Sequence, residues 1–159
     1  MPVSVIAKTI KAQSTKNKVE DTAISIIKYK DPKKLGLIEA TIATRPNDLE
    51  GSLSILGTKG SIVLDGFNAS KIKTLKCSNI SKDQEKQFLK TMKLINSSKV
   101  NGHINFYKNI LKDSKRRKKI FNNYEGLPSL KIVNAIYKSS FESREIFLNK
   151  NLKSKLGYN

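Results

Sequence analysis

The sequence has 159 residues, and its 31 Lys and Arg against 13 Asp and Glu give a formal net charge of +18. One cysteine and one histidine exclude an internal disulfide and a zinc site made of Cys and His, since such a site needs at least three of these ligands. No apolar run approaches the ~20 residues that cross a bilayer. The first residues also lack a basic region followed by a long apolar stretch, so we expect a cytoplasmic protein without a membrane partner.

The first third of the chain predicts β-strands rich in β-branched residues. Three strands are expected here, over residues 3–12, 21–30 and 35–44. In the third strand, Ile38, Ala40 and Ile42 alternate with their neighbours, which predicts a strand with one buried face. Residues 31–34 contain a proline and an aspartate suited to a turn, so the second and third strands are expected to form an antiparallel hairpin.

A second hairpin is predicted in the middle of the chain. Its strands, over 52–56 and 61–64, flank the sequence Gly57-Thr58-Lys59-Gly60. We expect the two glycines to supply the positive φ values that a tight turn needs. Asp65-Gly66 then turns the chain toward a further strand over 71–77.

The last third changes to helical spacing of its apolar residues. Helices are expected over 83–95, with Ser81 as N-cap, from Gly102, and from Pro128, and a closing strand over 144–148. Because strands and helices are segregated along the chain, we predict an α+β fold, an open and mostly antiparallel β-sheet with helices packed on one face. Residues 1–149 are assigned to one domain and residues 150–159 to a polar tail.

No residue pattern in the sequence is diagnostic of a catalytic or nucleotide-binding site. The glycines do not form G-x-G-x-x-G between a strand and a helix, and no Walker loop or G-x-S-x-G elbow is present. The paired carboxylates Glu20 and Asp21 fit turns and caps as well as acid–base chemistry. The basic run 115–119 fits a helix end as well as a nucleic-acid contact.

Ordered segments spread over residues 3–148 carry a family resemblance. They are VEDTA (19–23), GLIEAT (36–41), RPNDLEGSLSILGTKG (45–60), GHINFY (102–107), EGLPSL (125–130) and VNAIYKSS (133–140). In this order and spacing they resemble the C-terminal domain of the Gfo/Idh/MocA oxidoreductases. Within that family they are most similar to the UDP-N-acetylglucosaminuronate 3-dehydrogenases and related sugar dehydrogenases.

The resemblance implies the substrate-binding and assembly domain of an NAD(P)-dependent sugar dehydrogenase, whose substrate is a sugar or a nucleotide sugar. In the family a Rossmann domain binds NAD(P), and the motifs of that domain do not occur here. The resemblance therefore implies a truncated or split member that binds no cofactor and is inactive alone, with a separate Rossmann-domain chain as a possible partner. It also implies a homo-oligomer that forms through the sheet face.

The resemblance further implies candidates for the substrate cleft. Arg45, Asn47 and Asp48 are placed on a loop at a strand exit, where the arginine suits a bidentate contact with a carboxylate or phosphate, or else a loop salt bridge. His103 matches a family position near the cleft, and also suits a helix cap or a packing role. Tyr107 lies one helical turn further on and fits a core position as well. No catalytic, cofactor-binding or metal-binding residue is assigned.

Two other functions remain open at this point. The charge fits a small basic nucleic-acid-binding protein, with weak and non-specific binding, or a lysine-rich protein in which the charge has no role. A sheet that stacks RNA bases would need paired aromatic residues, and Tyr29 and Phe67 do not form such a pair. The chain also fits a non-catalytic interaction domain.

Overall fold

The computed structural model describes residues 1–13, 18–66, 71–97, 102–115 and 126–148. The chain divides into two compact units. Unit 1 comprises Met1–Asp48 and Phe121–Asn159, and unit 2 comprises Leu49–Ile120. Unit 2 is therefore inserted between the two parts of the chain that build unit 1.

In the described residues, six strands come first and three helices follow before a last short strand, as the change in the spacing of apolar residues predicts. In chain order they are β1 (Pro2–Ile10), β2 (Thr22–Tyr29), β3 (Leu35–Thr41), β4 (Leu53–Gly57), β5 (Gly60–Asp65), β6 (Lys71–Cys77), α1 (Lys82–Ser97), α2 (Gly102–Lys115), α3 (Leu127–Glu142) and β7 (Ile146–Phe147). The predicted α+β class is thereby confirmed. None of the helices in these ranges is long and apolar enough to cross a bilayer.

The strands form two antiparallel sheets in the described residues, where the sequence predicts one. Sheet 1 has the order β3-β2-β1-β7 and belongs to unit 1, and sheet 2 has the order β4-β5-β6 and belongs to unit 2. The division falls between β3 and β4, because residues 42–52 form no strand. In unit 1, α3 packs against β1 and β7, as expected for a helix on one face of the sheet.

The core of unit 1 is centred on Val5, which is fully buried. Val5 pairs in register with Ile27 of β2 on one side and with Ile146 of β7 on the other. Ala135 of α3 completes this buried cluster. The middle strand is thus fixed by apolar contacts with both neighbouring strands and with the helix.

Two serine hydroxyls of α3 accept hydrogen bonds from the part of β1 that does not pair with β7. In the described residues, β7 pairs with β1 only at Ser4 and Val5. Further along β1, the backbone N–H of Ala7 donates to Ser139 Oγ at 2.9 Å, and that of Thr9 donates to Ser140 Oγ at 2.8 Å. Helix side chains therefore satisfy backbone donors that a longer neighbouring strand would otherwise bind.

Replacing Ser139 with alanine should lower the free energy of unfolding by about 2 kcal/mol, because the partly buried N–H of Ala7 loses its acceptor. Ser139 Oγ also donates to the carbonyl of Arg144 at 2.7 Å, so two bonds are lost. Urea unfolding measures the change. Thr91→Ala, which removes an exposed bond to the helix carbonyl of Gln87, is the control. Equal stability of Ser139→Ala and wild type would contradict this role of the serine.

The prediction of a buried face on β3 is wrong. The strand pairs with β2 as expected, but on the face predicted to be buried Ile38 is 40% exposed and Ala40 is also exposed, and Ile42, just after the strand, is 69% exposed. The reason is the position of α3, which packs over β1 and β7 at the opposite side of the sheet. As the edge strand of sheet 1, β3 lies beyond the cover of the helix.

The face of sheet 1 that points away from α3, here called the outer face, is rich in exposed aliphatic side chains. Strand register arranges its residues in rows across β1, β2 and β3: Ile6–Ile26–Leu37, Lys8–Ile24–Glu39 and Ile10–Thr22–Thr41. The isoleucines and Leu37 on this face are all at least 37% exposed.

In unit 2, the start of α1 confirms the predicted N-cap. The backbone N–H of Gln84 donates to Ser81 Oγ at 3.2 Å, and the backbone N–H of Ser81 donates to Gln84 Oε1 at 2.9 Å. This reciprocal pair is a capping box, which satisfies two backbone donors at the helix start.

The glycines of the β4–β5 turn act differently from the prediction. Neither Gly57 nor Gly60 has a positive φ, and Gly66 is the glycine with one, at 87°, among the described residues. Gly60 is required for space instead, because a Cβ built there would lie 2.8 Å from both Cα and Sγ of Cys77. The close approach arises because Gly60 pairs directly with Cys77 of β6.

Candidate functional site

The loop that follows β3 carries three of the candidate residues, and Asp21 anchors its start. The carboxylate of this buried aspartate accepts the backbone N–H groups of Ala12 and Gln13 at 2.8 and 2.9 Å. Its backbone carbonyl accepts the N–H of Ile42 at 2.8 Å. One residue thus ties the β1–β2 connection to the exit of β3, which supports the structural interpretation of the Glu20–Asp21 pair.

Hydrogen bonds within the loop orient Arg45. Thr41 Oγ1 accepts the N–H of Ala43 at 3.0 Å. One amino group of Arg45 donates to the carbonyls of Ile42 and Thr44 at 3.1 and 2.6 Å. A guanidinium has five N–H donors, so donors remain for a bidentate contact with an anion.

Arg45, Asn47 and Asp48 are all exposed. Among the described residues, Arg45 has no carboxylate within salt-bridge distance, so the loop salt bridge considered for it is not formed there. The three side chains share one exposed loop of unit 1. In chemical terms the loop offers a cationic donor, an amide and a carboxylate to a polar ligand.

The other two candidates lie in unit 2, on α2. His103 is the second residue of this helix, and the structure describes its backbone but not its side chain. Tyr107 is 62% exposed, and its ring contacts that of Phe106 edge to face, with centroids 5.5 Å apart. Such exposure does not fit the core position considered for Tyr107. The five candidates therefore divide between a loop of unit 1 and a helix of unit 2.

Sequence reasoning missed a polar contact between α3 and the start of β2. The hydroxyl of Tyr137 donates to a carboxylate oxygen of Glu20, and this bond raises the pKa of Tyr137 because it favours the protonated phenol. The spacing of Tyr137 from Val133 and Phe141 is typical of the apolar face of a helix. No local signal pairs it with Glu20, which lies 117 residues away.

A second missed cluster joins the ends of β1 and β2 to the start of β7. Glu145 accepts the hydroxyl of Ser4, and its Oε2 lies 2.9 Å from Nζ of Lys28. Both contacts hold the pKa of Glu145 below its ordinary value, the bond from Ser4 being the larger cause.

Acid should destabilise the wild-type protein more steeply than the variant Glu145→Gln. A lowered pKa in the folded state means that Glu145 contributes stability above about pH 4.3, the ordinary value for Glu, and loses it as the pH falls through the folded value. Urea unfolding between pH 6 and pH 3 measures this. Ser4→Ala, which removes the larger cause, should flatten the profile in part. Parallel profiles for all three proteins would contradict the assignment.

An open groove in unit 2 lies beside the β4–β5 turn. Its lining includes Lys59, Lys76, Glu85 and the exposed thiol of Cys77. The hydroxyl and N–H of Ser78 both donate to the carbonyl of Lys59, at 3.0 and 2.8 Å. In the described residues, no group of three His, Cys, Asp or Glu side chains is placed to hold a metal ion.

Comparison with known proteins identifies the family. Residues 2–148 match the family model for the Gfo/Idh/MocA C-terminal domain, described as "Oxidoreductase family, C-terminal alpha/beta domain". The chain belongs to this family. No curated protein sequence matches it significantly.

Two solved structures are similar to this chain. The WlbA dehydrogenase from Bordetella pertussis, in complex with NADH and UDP-GlcNAcA, is 28% identical with a TM-score of 0.81, over 94% of this chain and 43% of the dehydrogenase. The WlbA dehydrogenase from Chromobacterium violaceum, with the same ligands, is 28% identical with a TM-score of 0.80, over 94% of this chain and 41% of the dehydrogenase. The chain thus spans less than half the length of each, and the resemblance to nucleotide-sugar dehydrogenases is confirmed.

Proposed function

We propose that this chain is the substrate-binding and assembly domain of an NAD(P)-dependent dehydrogenase that acts on a nucleotide-linked sugar. The observation that carries the proposal is the similarity, over 94% of the chain, to dehydrogenases in complex with NADH and UDP-GlcNAcA. The charge of +18 agrees with it, because a nucleotide-linked sugar acid is an anion and positive potential attracts it.

The Arg45 loop is the proposed contact with this anion. Arg45 binds a phosphate or carboxylate through the donors that its own loop leaves unused. Asn47 and Asp48 offer an amide and a carboxylate to sugar hydroxyls. His103 and Tyr107 of α2 are proposed as further substrate contacts. None of the five is given a catalytic role.

The cofactor is assigned to a separate Rossmann domain. A dinucleotide pyrophosphate is held by a glycine-rich turn at a helix N-terminus, and these 159 residues contain no G-x-G-x-x-G. Under the proposal, hydride transfer requires NAD(P) on that domain, and the present residues bind and orient the sugar without transferring hydride by themselves.

Assembly is proposed to occur through the outer face, between copies of this chain. Ile24, Ile26 and Leu37 are 50%, 37% and 69% exposed there. Monomeric proteins rarely expose large contiguous apolar patches. Two such faces stacked about 10 Å apart would cover each other's aliphatic side chains.

Nucleic-acid binding is the second candidate, and the net charge is what favours it. Tyr29 is not presented for base stacking, because it packs against the core of unit 1 on the face covered by α3. Phe67 lies outside the described residues. Under this alternative, binding is non-specific and strongly weakened by salt.

A titration of the chain with UDP-linked N-acetylglucosaminuronate tests the proposed role of Arg45. We expect saturable binding that Arg45→Ala weakens about tenfold, since a charge-assisted bidentate contact is lost. Leu49→Ala, at another exposed position after the same loop, should bind as wild type does. NADH in the same titration should not bind saturably. Unchanged affinity for Arg45→Ala would contradict the assignment of Arg45, and saturable NADH binding would contradict that of the cofactor.

A further inference from the structure

A chain of hydrogen bonds leads from the buried carboxylate of Asp21 to the start of the Arg45 loop. The hydroxyl of Thr22 donates to Asp21 Oδ1 at 3.1 Å. On the neighbouring strand, Thr41 pairs in register with Thr22, and the two hydroxyl oxygens lie 2.9 Å apart. The backbone N–H of Ala43 donates to Thr41 Oγ1 at 3.0 Å. Side chains of two strands thus connect a buried carboxylate with the backbone of the loop.

The carboxylate of Asp21 determines the direction of the bond between the two threonines. An ionised carboxylate only accepts hydrogen bonds, and a hydroxyl has a single proton to donate. Thr22 gives its proton to Asp21, so Thr22 accepts the proton of Thr41. A lone pair of Thr41 is then left for the N–H of Ala43. Reversing the bond between the threonines would break the contact of Thr22 with Asp21, so each group has one defined role.

Backbone contacts hold the same segment at a second point. The N–H of Ile42 donates to the carbonyl of Asp21 at 2.8 Å. The carbonyl of Ile42 accepts a bond from the guanidinium of Arg45 at 3.1 Å. The next residue, Ala43, is bound to the hydroxyl of Thr41. The carbonyl that orients Arg45 therefore lies in a segment whose first two residues are both tied to the end of the sheet.

We propose that Thr22 and Thr41 are positioning residues for Arg45, and that they hold its loop in the conformation that binds the phosphate or carboxylate of a nucleotide sugar. The inference rests on the proposed role of Arg45 in binding this anion. A loop that is ordered before the ligand arrives loses less conformational freedom on binding, which strengthens affinity. The threonines do not contact the ligand under this proposal and act through Arg45 alone.

Thr41→Val tests the proposal, because it removes the hydroxyl and keeps the β-branched shape that suits a strand. In a titration of the full chain with UDP-linked N-acetylglucosaminuronate, we expect this variant to raise the dissociation constant about threefold, a moderate effect because water can replace an exposed bond. Thr22→Val should act similarly. Thr41→Ser keeps the hydroxyl and should bind as wild type does. Thr91→Val, which loses an exposed hydroxyl bond in α1 of unit 2, is the matched control and should not change affinity.

The double variant Thr41→Val/Arg45→Ala separates positioning from a general effect on the fold. Because the threonine acts through the arginine, Thr41→Val should not weaken binding further once Arg45 is replaced. The same threefold loss in both backgrounds, or a Thr41→Ser variant as weak as Thr41→Val, overturns the proposal. If Arg45→Ala weakens binding and Thr41→Val does not, the positioning role alone is wrong. If Arg45→Ala leaves the affinity unchanged, the proposed contact of Arg45 fails, and the positioning role fails with it.

Discussion

Replacing Leu37 with lysine should dissociate the assembly of this chain and leave its fold intact. Leu37 is 69% exposed in the single chain, so a lysine there costs little in folding. In the proposed assembly the same lysine would be buried against Ile6 and Ile26, and burying an unpaired charge costs several kcal/mol. We expect the dissociation constant to rise about 100-fold, which corresponds to about 2.7 kcal/mol.

Sedimentation equilibrium at several salt concentrations measures this effect, with urea unfolding to show that the fold is kept. Higher salt should strengthen assembly of the wild type, because it screens the repulsion between copies that each carry +18. Leu49→Lys is the control, since Leu49 is 82% exposed and lies outside the outer face. Equal dissociation of both variants, or of neither, would contradict an interface at the outer face.

Replacing Gly60 with alanine should destabilise unit 2 by about 3 kcal/mol, the upper end of the usual cost of overpacking. The added Cβ would lie 2.8 Å from Cα of Cys77. That neighbour belongs to a paired strand and cannot move without breaking the β5–β6 ladder. The cost should appear as lost amide protection against hydrogen exchange in β5 and β6.

Gly57→Ala is the matched control in the same turn, because its nearest atom, the carbonyl oxygen of Gly60, would lie at 3.4 Å. It should cost less than 1 kcal/mol, because the contact is an ordinary one and alanine loses less conformational freedom on folding than glycine does. If the two alanine variants lose protection equally, the close approach of β6 is not what requires glycine at position 60.

The elements that the sequence predicts best are those whose signals are local. The 21–30 strand, observed as Thr22–Tyr29, and the 71–77 strand, observed as Lys71–Cys77, follow from β-branched composition and flanking turns. The cap at Ser81 follows from Gln84 three residues later. The prediction of the α+β class also rests on local signals, namely the alternation of apolar residues in the strands and their helical spacing in the last third of the chain.

The features that sequence reasoning misses depend on partners far along the chain. The exposure of Ile38 follows from the distant position of α3, and the need for Gly60 follows from Cys77. Ser139 is bound by Ala7, 132 residues away. The spacing of apolar residues along the sequence does not reveal these contacts, because they form only when the strands and helices pack together.

The candidate site could be predicted only in part. The family resemblance supplied all five residues, and the structure adds how Arg45 is oriented by the carbonyls of Ile42 and Thr44. The sequence has no local signal for those bonds, since they depend on the backbone path of the loop. The substrate roles of the five residues remain predictions.

The most direct test of the central claim, that these residues bind an anionic nucleotide sugar, compares the affinity of the chain for a nucleotide sugar with its affinity for DNA. Equilibrium titrations of one sample in ~150 mM salt would use UDP-linked N-acetylglucosaminuronate and a duplex of mixed sequence. The proposal predicts saturable binding of the nucleotide sugar, and DNA binding no tighter than roughly 10⁻⁶ M, the strong end of the non-specific range. No binding of the nucleotide sugar, together with nanomolar affinity for a defined DNA sequence, would contradict it.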